Sequence, residues 1–394
     1  MLLRYRYRAE PTAAQRQHLA RTFGCARVVF NDGLRLREDA RAAGKPYVPD
    51  GEVQRRVITQ AKPTAARAWL AEVSSVALVQ ACNDLHRAYR NFFDGLTGRR
   101  KGRRVGLPRY RTKRGRQAVR FTRNGFGVAE RGVSLAKIGE VRLRWRRGQR
   151  AAPSSCTVIL DAAGRYFVSF IVDAPAMPLP LVAAEVGIDL GLTRFATLDD
   201  GQVIANPRHL RQRERRLKAA QRSLSRKRKD SANREKARKR AARLHARVRD
   251  ARHDFLHQLS TRLLRENQAV YVEDLAVQGL GRTRLAKSVH DASWGTFLRL
   301  LEEKSRRYGR AIVRIPRFAP TSQTCSACGL VDGAKPLGIR VWTCSGCGVD
   351  HDRDTNAARN IKALGRRDLP NASGACGSPV LGLAAGGEGG ISDA

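Results

Sequence analysis

The stretch that most constrains this chain is EVGIDLGL, residues 185–192. With Val186 and Ile188 on one face and glycines on either side, it predicts a short buried strand that carries one carboxylate, Asp189. A buried charge must be paired or bound to metal. Two later stretches have the same character. AVYVEDL (269–275) is an apolar run of β-forming residues that reaches Glu273, and HDRDTNAARNI (351–361) sets Asp354 at the start of a helix. A fold that brings the first strand, the end of a later strand and a C-terminal helix to one spot gathers three carboxylates there. Such a set holds two divalent cations about 3.5–4 Å apart, the arrangement that activates water and stabilises the leaving oxygen in phosphodiester hydrolysis. Each acidic residue alone also reads as a solvated strand end or cap. Their order and company point to a site.

The last segment offers Asp350, Asp352 and Asp354. If the helix begins near Asp354, then Ala357, Ala358 and Ile361 lie three, four and seven residues on, along the same face. These small and apolar residues suit packing on the sheet that carries Asp189. Asp354 is therefore expected to point at the sheet, and Asp352 to cap the helix or face solvent.

Between Glu273 and Asp354 lie CSAC (325–328) and CSGC (344–347), fifteen residues apart. This is the spacing of a zinc ribbon. Cys325, Cys328, Cys344 and Cys347 are expected to give structural zinc (Zn2+) a closed tetrahedral thiolate shell with no open position for catalysis. Two disulfides in a secreted domain are the alternative. Against that stands the N-terminus MLLRYRYR, where Arg4, Arg6 and Arg8 interrupt the apolar core a signal peptide needs. Cys25, Cys82, Cys156 and Cys376 are scattered singly. A cytoplasmic protein is expected, and no run of about 18 apolar residues suggests a membrane span.

Charge indicates the partner. The 394 residues hold 76 Lys and Arg against 35 Asp and Glu, a net +41, with 42% hydrophobic residues. The chain is thus globular, and its self-repulsion calls for a polyanion such as nucleic acid. The excess is concentrated. TGRRKGRRVGLPRYRTKRGR (97–116) mixes arginine with an aromatic, which suits a phosphate backbone; Arg109, Tyr110, Arg111 and Lys113 are its candidate contacts. Residues 208–252 carry twenty Lys or Arg against four Asp or Glu. Leu210, Leu217 and Leu224, then Leu244, Val248, Phe255, Leu259 and Leu263, predict an antiparallel helical hairpin. Arg226, Lys227, Arg228 and Lys229 at its turn are the second candidate contact group.

The remaining text orders the chain. Residues 2–8 alternate as a strand. Helical spacing follows over 12–44 and 68–96, and strands over 138–145 and 157–174, the latter folded at Asp161–Gly164. A small β-barrel with a helical bundle inserted into it is expected, then a proline-punctuated linker at 175–181. TRFATLDDGQVI (193–204) predicts a hairpin. DASWGTFLRLLEEKSRRYG (291–309) predicts a helix started by Asp291 or Ser293 and ended by Gly309, and residues 311–316 a strand. The Gly-, Ala- and Ser-rich tail from about 367 is expected to be disordered.

Taken together, GIDLGL, YVEDL, ASWGTFLRLLEEK (292–304), the paired cysteine motifs and HDRDTNAARNI follow one another in an order that resembles the TnpB family, transposon-encoded relatives of type V CRISPR effectors. The likeness runs from RYRAEPTAAQ (6–15), through GLPRYRTKR (106–114), to about residue 365, and is most specific over 185–361. The resemblance implies an α/β multidomain protein: an RNase H-like RuvC nuclease core (181–318 and 350–366) with a four-cysteine zinc-ribbon insert for target nucleic acid (319–349), a wedge β-barrel (1–11 and 97–180), and an inserted helical recognition domain (12–96), before the 367–394 tail. It implies an RNA-guided DNA endonuclease that cuts double-stranded DNA complementary to a guide RNA from the transposon end, beside a short motif. Asp189, Glu273 and Asp354 would be the catalytic ligands of two Mg2+ ions, in a protein that need not oligomerise. Ser74–Gln80 would be candidates for reading the motif. Two rivals keep the same fold, a DNA transposase that itself moves the element and a regulator that binds nucleic acid without cutting it.

Overall fold

The alternating N-terminal stretch forms strand β1 (Leu2–Glu10) in the computed structural model, which describes residues 1–145, 152–336 and 338–372. β1 pairs antiparallel with two strands from much later in the chain. These are β7 (Tyr166–Asp173) and β5 (Gly139–Arg144), and the register with β7 runs from Leu2 opposite Asp173 to Ala9 opposite Tyr166. With β2 (Gln117–Thr122), β3 (Phe126–Val128), β4 (Gly132–Leu135) and β6 (Pro153–Leu160), they make a seven-stranded sheet in the order β2-β6-β7-β1-β5-β4-β3. The first strand thus sits in mid-sheet, and a helical segment follows it before the sheet resumes at β2. Among the described residues β2 and β3 are unpaired edges, so the strand pairing is that of an open sheet and not of a closed ring.

The insertion holds α1 (Ala13–Ala42), α2 (Asp50–Gln54) and α3 (Ser75–Leu96). Thr12 and Gln15 form a reciprocal capping box at the start of α1. The helix expected over 68–96 is broken. Residues 68–72 make a 3-10 turn, Val73 is extended, and Ser74 opens α3. Leu70 and Val73 are buried on either side of the break, so core packing outweighs helical continuity there. Leu19, Leu34, Leu78 and Leu85 join Phe121 and Phe170 of the sheet in one core.

The chain divides into two units, residues 1–175 with 220–243, and 176–219 with 244–394. The basic hairpin is α4 (His209–Ser225) and α5 (Ala232–Glu266). The second unit is built on a five-stranded mixed sheet, ordered β10-β9-β8-β11-β12. Its strands are β8 (Glu185–Leu190), β9 (Arg194–Leu198), β10 (Val203–Ala205), β11 (Ala269–Glu273) and β12 (Ala311–Ile315). β8, β11 and β12 are parallel, while β9 and β10 fold back antiparallel. Two short helices, α6 (Val277–Leu280) and α7 (Ala286–Ala292), precede α8 (Trp294–Tyr308). The linker at 175–181 has no regular structure but is tied along the end of α8, with Met177 N–H donating to Arg307 O and Leu179 N–H to Tyr308 O.

The start of α8 differs from expectation. Ser293 occupies its N-cap in the left-handed region without a side-chain cap. Asp291, buried at the end of α7, instead accepts from Leu210 N–H and Arg211 N–H at the start of α4 and pairs with Arg252 of α5 at 3.0 Å. Gly309 closes α8 as expected, at φ 63°. The final helix, α9 (Arg353–Ala372), runs past residue 367 where the tail was expected to begin; the tail from 373 lies outside the described residues. No helix among the described residues is long and apolar enough to cross a membrane.

Candidate functional site

The pleat of two parallel strands decides where the carboxylates go. On β8, Val186, Ile188 and Leu190 pack into the core beneath α5 and α8, so Gly187 and Asp189 face the other way. On β11, Val270 and Val272 enter that same core, while Ala269 and Tyr271 pack with Ile361 of α9. Glu273 shares the parity of Tyr271. The β8–β11 register ends at Ile188 beside Val272, so the next pair brings Asp189 beside Glu273 on the α9 face.

Helix α9 closes over this face because Gly187 lets it. A Cβ at Gly187 would lie 2.2 Å from Ala358 O, so only glycine permits this approach of helix to strand. Ala357, Ala358 and Ile361 are buried, as the expected register requires. Asp354 lies one turn before them, with 18% of its side chain exposed. Asp352 caps the helix, accepting from Thr355 N–H at 2.9 Å and Thr355 Oγ1 at 3.0 Å.

The electrostatics join the three groups. Burial, then the charges of Glu273 and Asp354, push the Asp189 carboxyl up to about 8. Burial also raises Glu273, against a hydrogen bond from Thr321 Oγ1 at 2.9 Å that lowers it. Two arginines attend Asp354: Arg340 Nη1 at 3.0 Å and Arg194 Nη1 at 3.8 Å, the latter also 3.4 Å from Asp352.

The cysteines form a second centre. Among the described residues, Cys325, Cys328, Cys344 and Cys347 are the one group of three or more such ligands with all ligand atoms within 4.8 Å. Cys325–Cys347 and Cys328–Cys344 stand at 3.6 and 3.7 Å. A tetrahedron of thiolates about 2.3 Å from a central zinc has edges of about 3.8 Å, so the spacing fits that ion. Both knuckles are built alike. Gly329 and Gly348 follow them at φ 80° and 71°, and their N–H groups donate to Cys325 O and Cys344 O, each at 2.9 Å. Burial opposes ionisation of Cys325, but the N–H groups of Cys328 and Ala327, with His351, hold its thiol down at about 5. Strands β13 (Val341–Thr343) and β14 (Asp350–Asp352) pair antiparallel on either side of the second cysteine pair. Cys25, Cys82 and Cys156 are separate, buried thiols; Cys376 lies outside the described residues.

Sequence reasoning missed what ties the two centres together. Asn356 and Asn360 are buried on α9, one turn apart. Their amides donate to Thr321 O and Thr324 O, and Asn356 Oδ1 accepts from Ser326 N–H inside the first knuckle at 2.8 Å. Thr321 is in turn the hydrogen-bond partner of Glu273. The available signal was NAARN itself, since asparagine is poor in a helix interior and two on the apolar face need buried partners.

The candidate nucleic-acid contacts divide. Arg109 and Lys113 are exposed, without an ion pair among the described residues. Tyr110 donates to Glu38 at 2.5 Å. Arg111 pairs with Asp84 and lies 3.8 Å over the Phe30 ring, so it also holds the basic segment down. Arg226, Lys227, Arg228 and Lys229 lie exposed on the hairpin turn, also without an ion pair among the described residues. Replacing those four with alanine is expected to leave the melting temperature unchanged while weakening duplex DNA binding. The slope of log affinity against log salt should shrink by up to about 3.6. An unchanged slope would make the turn an ordinary solvated surface. In the Ser74–Gln80 stretch, Ser74, Ala77 and Leu78 are buried, which leaves Ser75, Val76, Val79 and Gln80 with accessible surface.

Family models match three parts of the chain. They are described as "Probable transposase" (residues 169–284), "Cas12f1-like, TNB domain" (294–361) and "Helix-turn-helix domain" (1–46). Residues 1–46 here fold as β1 and one uninterrupted helix, α1. A protein of Streptomyces pristinaespiralis named "Putative RNA-guided DNA endonuclease" is 44% identical, over 95% of this chain and 91% of that one. One of the same description from Escherichia coli is 28% identical, over 95% and 94%. Among solved structures, the cryo-EM structure of a Cas12f1–sgRNA–target DNA complex matches with a TM-score of 0.52 at 13% identity, covering 88% of this chain and 82% of that one, a likeness of fold. On its identity to relatives matched over nearly their whole length, the chain belongs to the TnpB family.

Proposed function

We propose that this protein is an RNA-guided DNA endonuclease, and that Asp189, Glu273 and Asp354 carry its cleavage. The observation that carries the reading is the meeting of two strand carboxylates on one sheet face beneath α9, with a third carboxylate at the head of that helix. Three acidic groups in a largely buried setting repel one another, and burial with the charges of Glu273 and Asp354 disfavours the ionised form of Asp189 unless positive charge is supplied. That donor set suits divalent cations of the Mg2+ type. When bound, such ions supply a hydroxide nucleophile and neutralise charge on the phosphate. The chain's own part is to fix the ligands: the β8–β11 register sets Asp189 beside Glu273, Thr321 orients Glu273, and the Asp352 cap starts α9 so that Asp354 faces the sheet.

On this reading residues 181–318 and 350–366 form an RNase H-like RuvC core, and the four thiolates hold structural Zn2+ in a target-binding ribbon. Residues 1–11 and 97–180 form the wedge domain, and residues 12–96 the recognition domain. The partners are a guide RNA from the transposon end and double-stranded target DNA, and the net charge of +41 suits both. Guide pairing would read the sequence while the protein holds the heteroduplex by shape and charge.

The test is to purify the full chain with its RNA from a host that carries the element, sequence that RNA, and challenge the complex with complementary duplex DNA and Mg2+. A discrete RNA and guide-dependent cuts are expected. Strand transfer without a discrete RNA would favour a transposase, and RNA-dependent binding without cutting a regulator.

A further inference from the structure

Phe318 is the most exposed large apolar side chain among the described residues, at 91%. A single exposed apolar residue is ordinary and needs no explanation. The backbone beneath this one sets it apart. On one side, Arg317 Nε donates to Asp274 O at 3.0 Å and Arg317 Nη2 to Asp274 Oδ2 at 2.6 Å. On the other, Thr321 Oγ1 donates to Glu273 Oε1 at 2.9 Å. Within the loop, Ala319 N–H donates to Pro316 O and Thr321 N–H to Ala319 O. Phe318 is thus pinned on both sides to the consecutive residues Glu273 and Asp274 at the end of β11. Three residues span at most about 11 Å even when extended, so Phe318 stays close to the carboxylate that Thr321 orients. The brace fixes the backbone that carries the ring beside the end of β11.

We propose that Phe318 is a stacking platform for an unpaired base of the DNA strand whose backbone is cut at Asp189, Glu273 and Asp354. The proposal rests on the nuclease reading above. A strand whose phosphate lies at the carboxylates carries its bases within a nucleotide's length of that phosphate. An aromatic face accepts any base, so it holds the strand without choosing its sequence. A base still stacked and paired in a duplex offers no free face. The platform therefore favours a separated strand and sets its register against the carboxylates. Leucine at this position would keep apolar surface and lose the π face, whereas tyrosine would keep both.

The test compares wild type, Phe318→Ala, Phe318→Leu and Phe318→Tyr as full-length RNA-bound complexes. Because the side chain is exposed, all four should share one melting temperature. With single-stranded target DNA, Phe318→Ala should lower kcat/KM roughly five- to hundredfold, mainly through KM, the loss expected for one base–aromatic stack. Phe318→Tyr should recover nearly all of it and Phe318→Leu little. In a parallel reading that needs no cleavage, 2-aminopurine placed at successive positions around the cut should be quenched at one position by wild type and Phe318→Tyr, and by neither other variant. Equal kcat/KM for wild type and Phe318→Ala, or full recovery by leucine, overturns the proposal. Should wild type fail to cut under any guide, the nuclease reading fails, and the quenching still decides whether Phe318 stacks a base.

Discussion

Asp354→Ala is expected to abolish DNA cleavage, with a loss of roughly 10³-fold or more, while guide-dependent DNA binding persists; Asp352→Ala should keep substantial cleavage. The two residues stand two positions apart and do different work. Asp352 accepts from Thr355 N–H and Oγ1, so its loss removes a helix cap at a cost of about 1 kcal/mol. On the proposed reading Asp354 is a cation ligand facing the sheet, and its charge raises the Asp189 carboxyl. Losing a cation ligand removes several kcal/mol of transition-state stabilisation, hence the rate loss. A timed cleavage assay at saturating Mg2+, with a gel-shift control, separates the variants. Essential Asp352 with dispensable Asp354 would show that α9 presents a different face. The same site gives a pH signature. Burial and the neighbouring charges of Glu273 and Asp354 raise Asp189 from 3.8 to about 8 in the metal-free fold, so the native state binds more protons than the unfolded chain between those values. Its contribution to metal-free stability is therefore full below about pH 4 and is lost as pH rises towards 8. Asp189→Asn, which cannot titrate, should gain in melting temperature over wild type across that window, and adding Mg2+ should erase the gain.

Cys325→Ser is expected to abolish zinc binding and, with it, most cleavage, although every carboxylate remains. Cys325 is 1% exposed and its sulfur stands 3.6 Å from Cys347 Sγ and 3.0 Å from His351 Nε2. Zinc binding in such small modules is worth about 10–16 kcal/mol at neutral pH and is folding free energy for the module. Without it the first knuckle is left with its turn hydrogen bonds, the Asn356 tie to Ser326 and a small buried cluster of Cys325, Trp342 and Cys344. The damage then travels inward, because Ser326, Thr321 and Thr324 are the groups that Asn356 and Asn360 bind. Elemental analysis should give about one zinc per wild-type chain and none in the variant, whose melting transition should broaden or fall. Full cleavage by a zinc-free variant would sever the ribbon from the chemistry.

Much of this site was legible because its elements are long in pattern and chemically distinctive. A buried β-run with a lone carboxylate, a four-cysteine spacing and a helix with apolar steps after Asp354 each carry their own signal. What was illegible is pairwise. β2, β3 and β4 are three to six residues long, too short for alternation to stand out from the basic text around them. Asp291 looked like the cap of the helix it precedes, and only tertiary structure brings α4's first N–H groups to it. The break at Val73 arises from what Leu70 and Val73 pack against, a choice no helical periodicity records. The asparagine ties are visible only once the loop they hold is in place.

The position of β1 in mid-sheet has a consequence for synthesis. Its partner β7 ends at residue 173, so at about 5–20 residues per second a nascent β1 waits roughly eight to thirty seconds for the strand it must pair with. The intervening helices can form at once from local contacts, but the strand cannot. During that interval it is an unpaired edge on the ribosome, the kind of segment that recruits the wrong neighbour. Arg4, Arg6 and Arg8, alternating with tyrosines along the same strand, place a positive charge at every second step, so two waiting chains repel each other before either finds its proper partner.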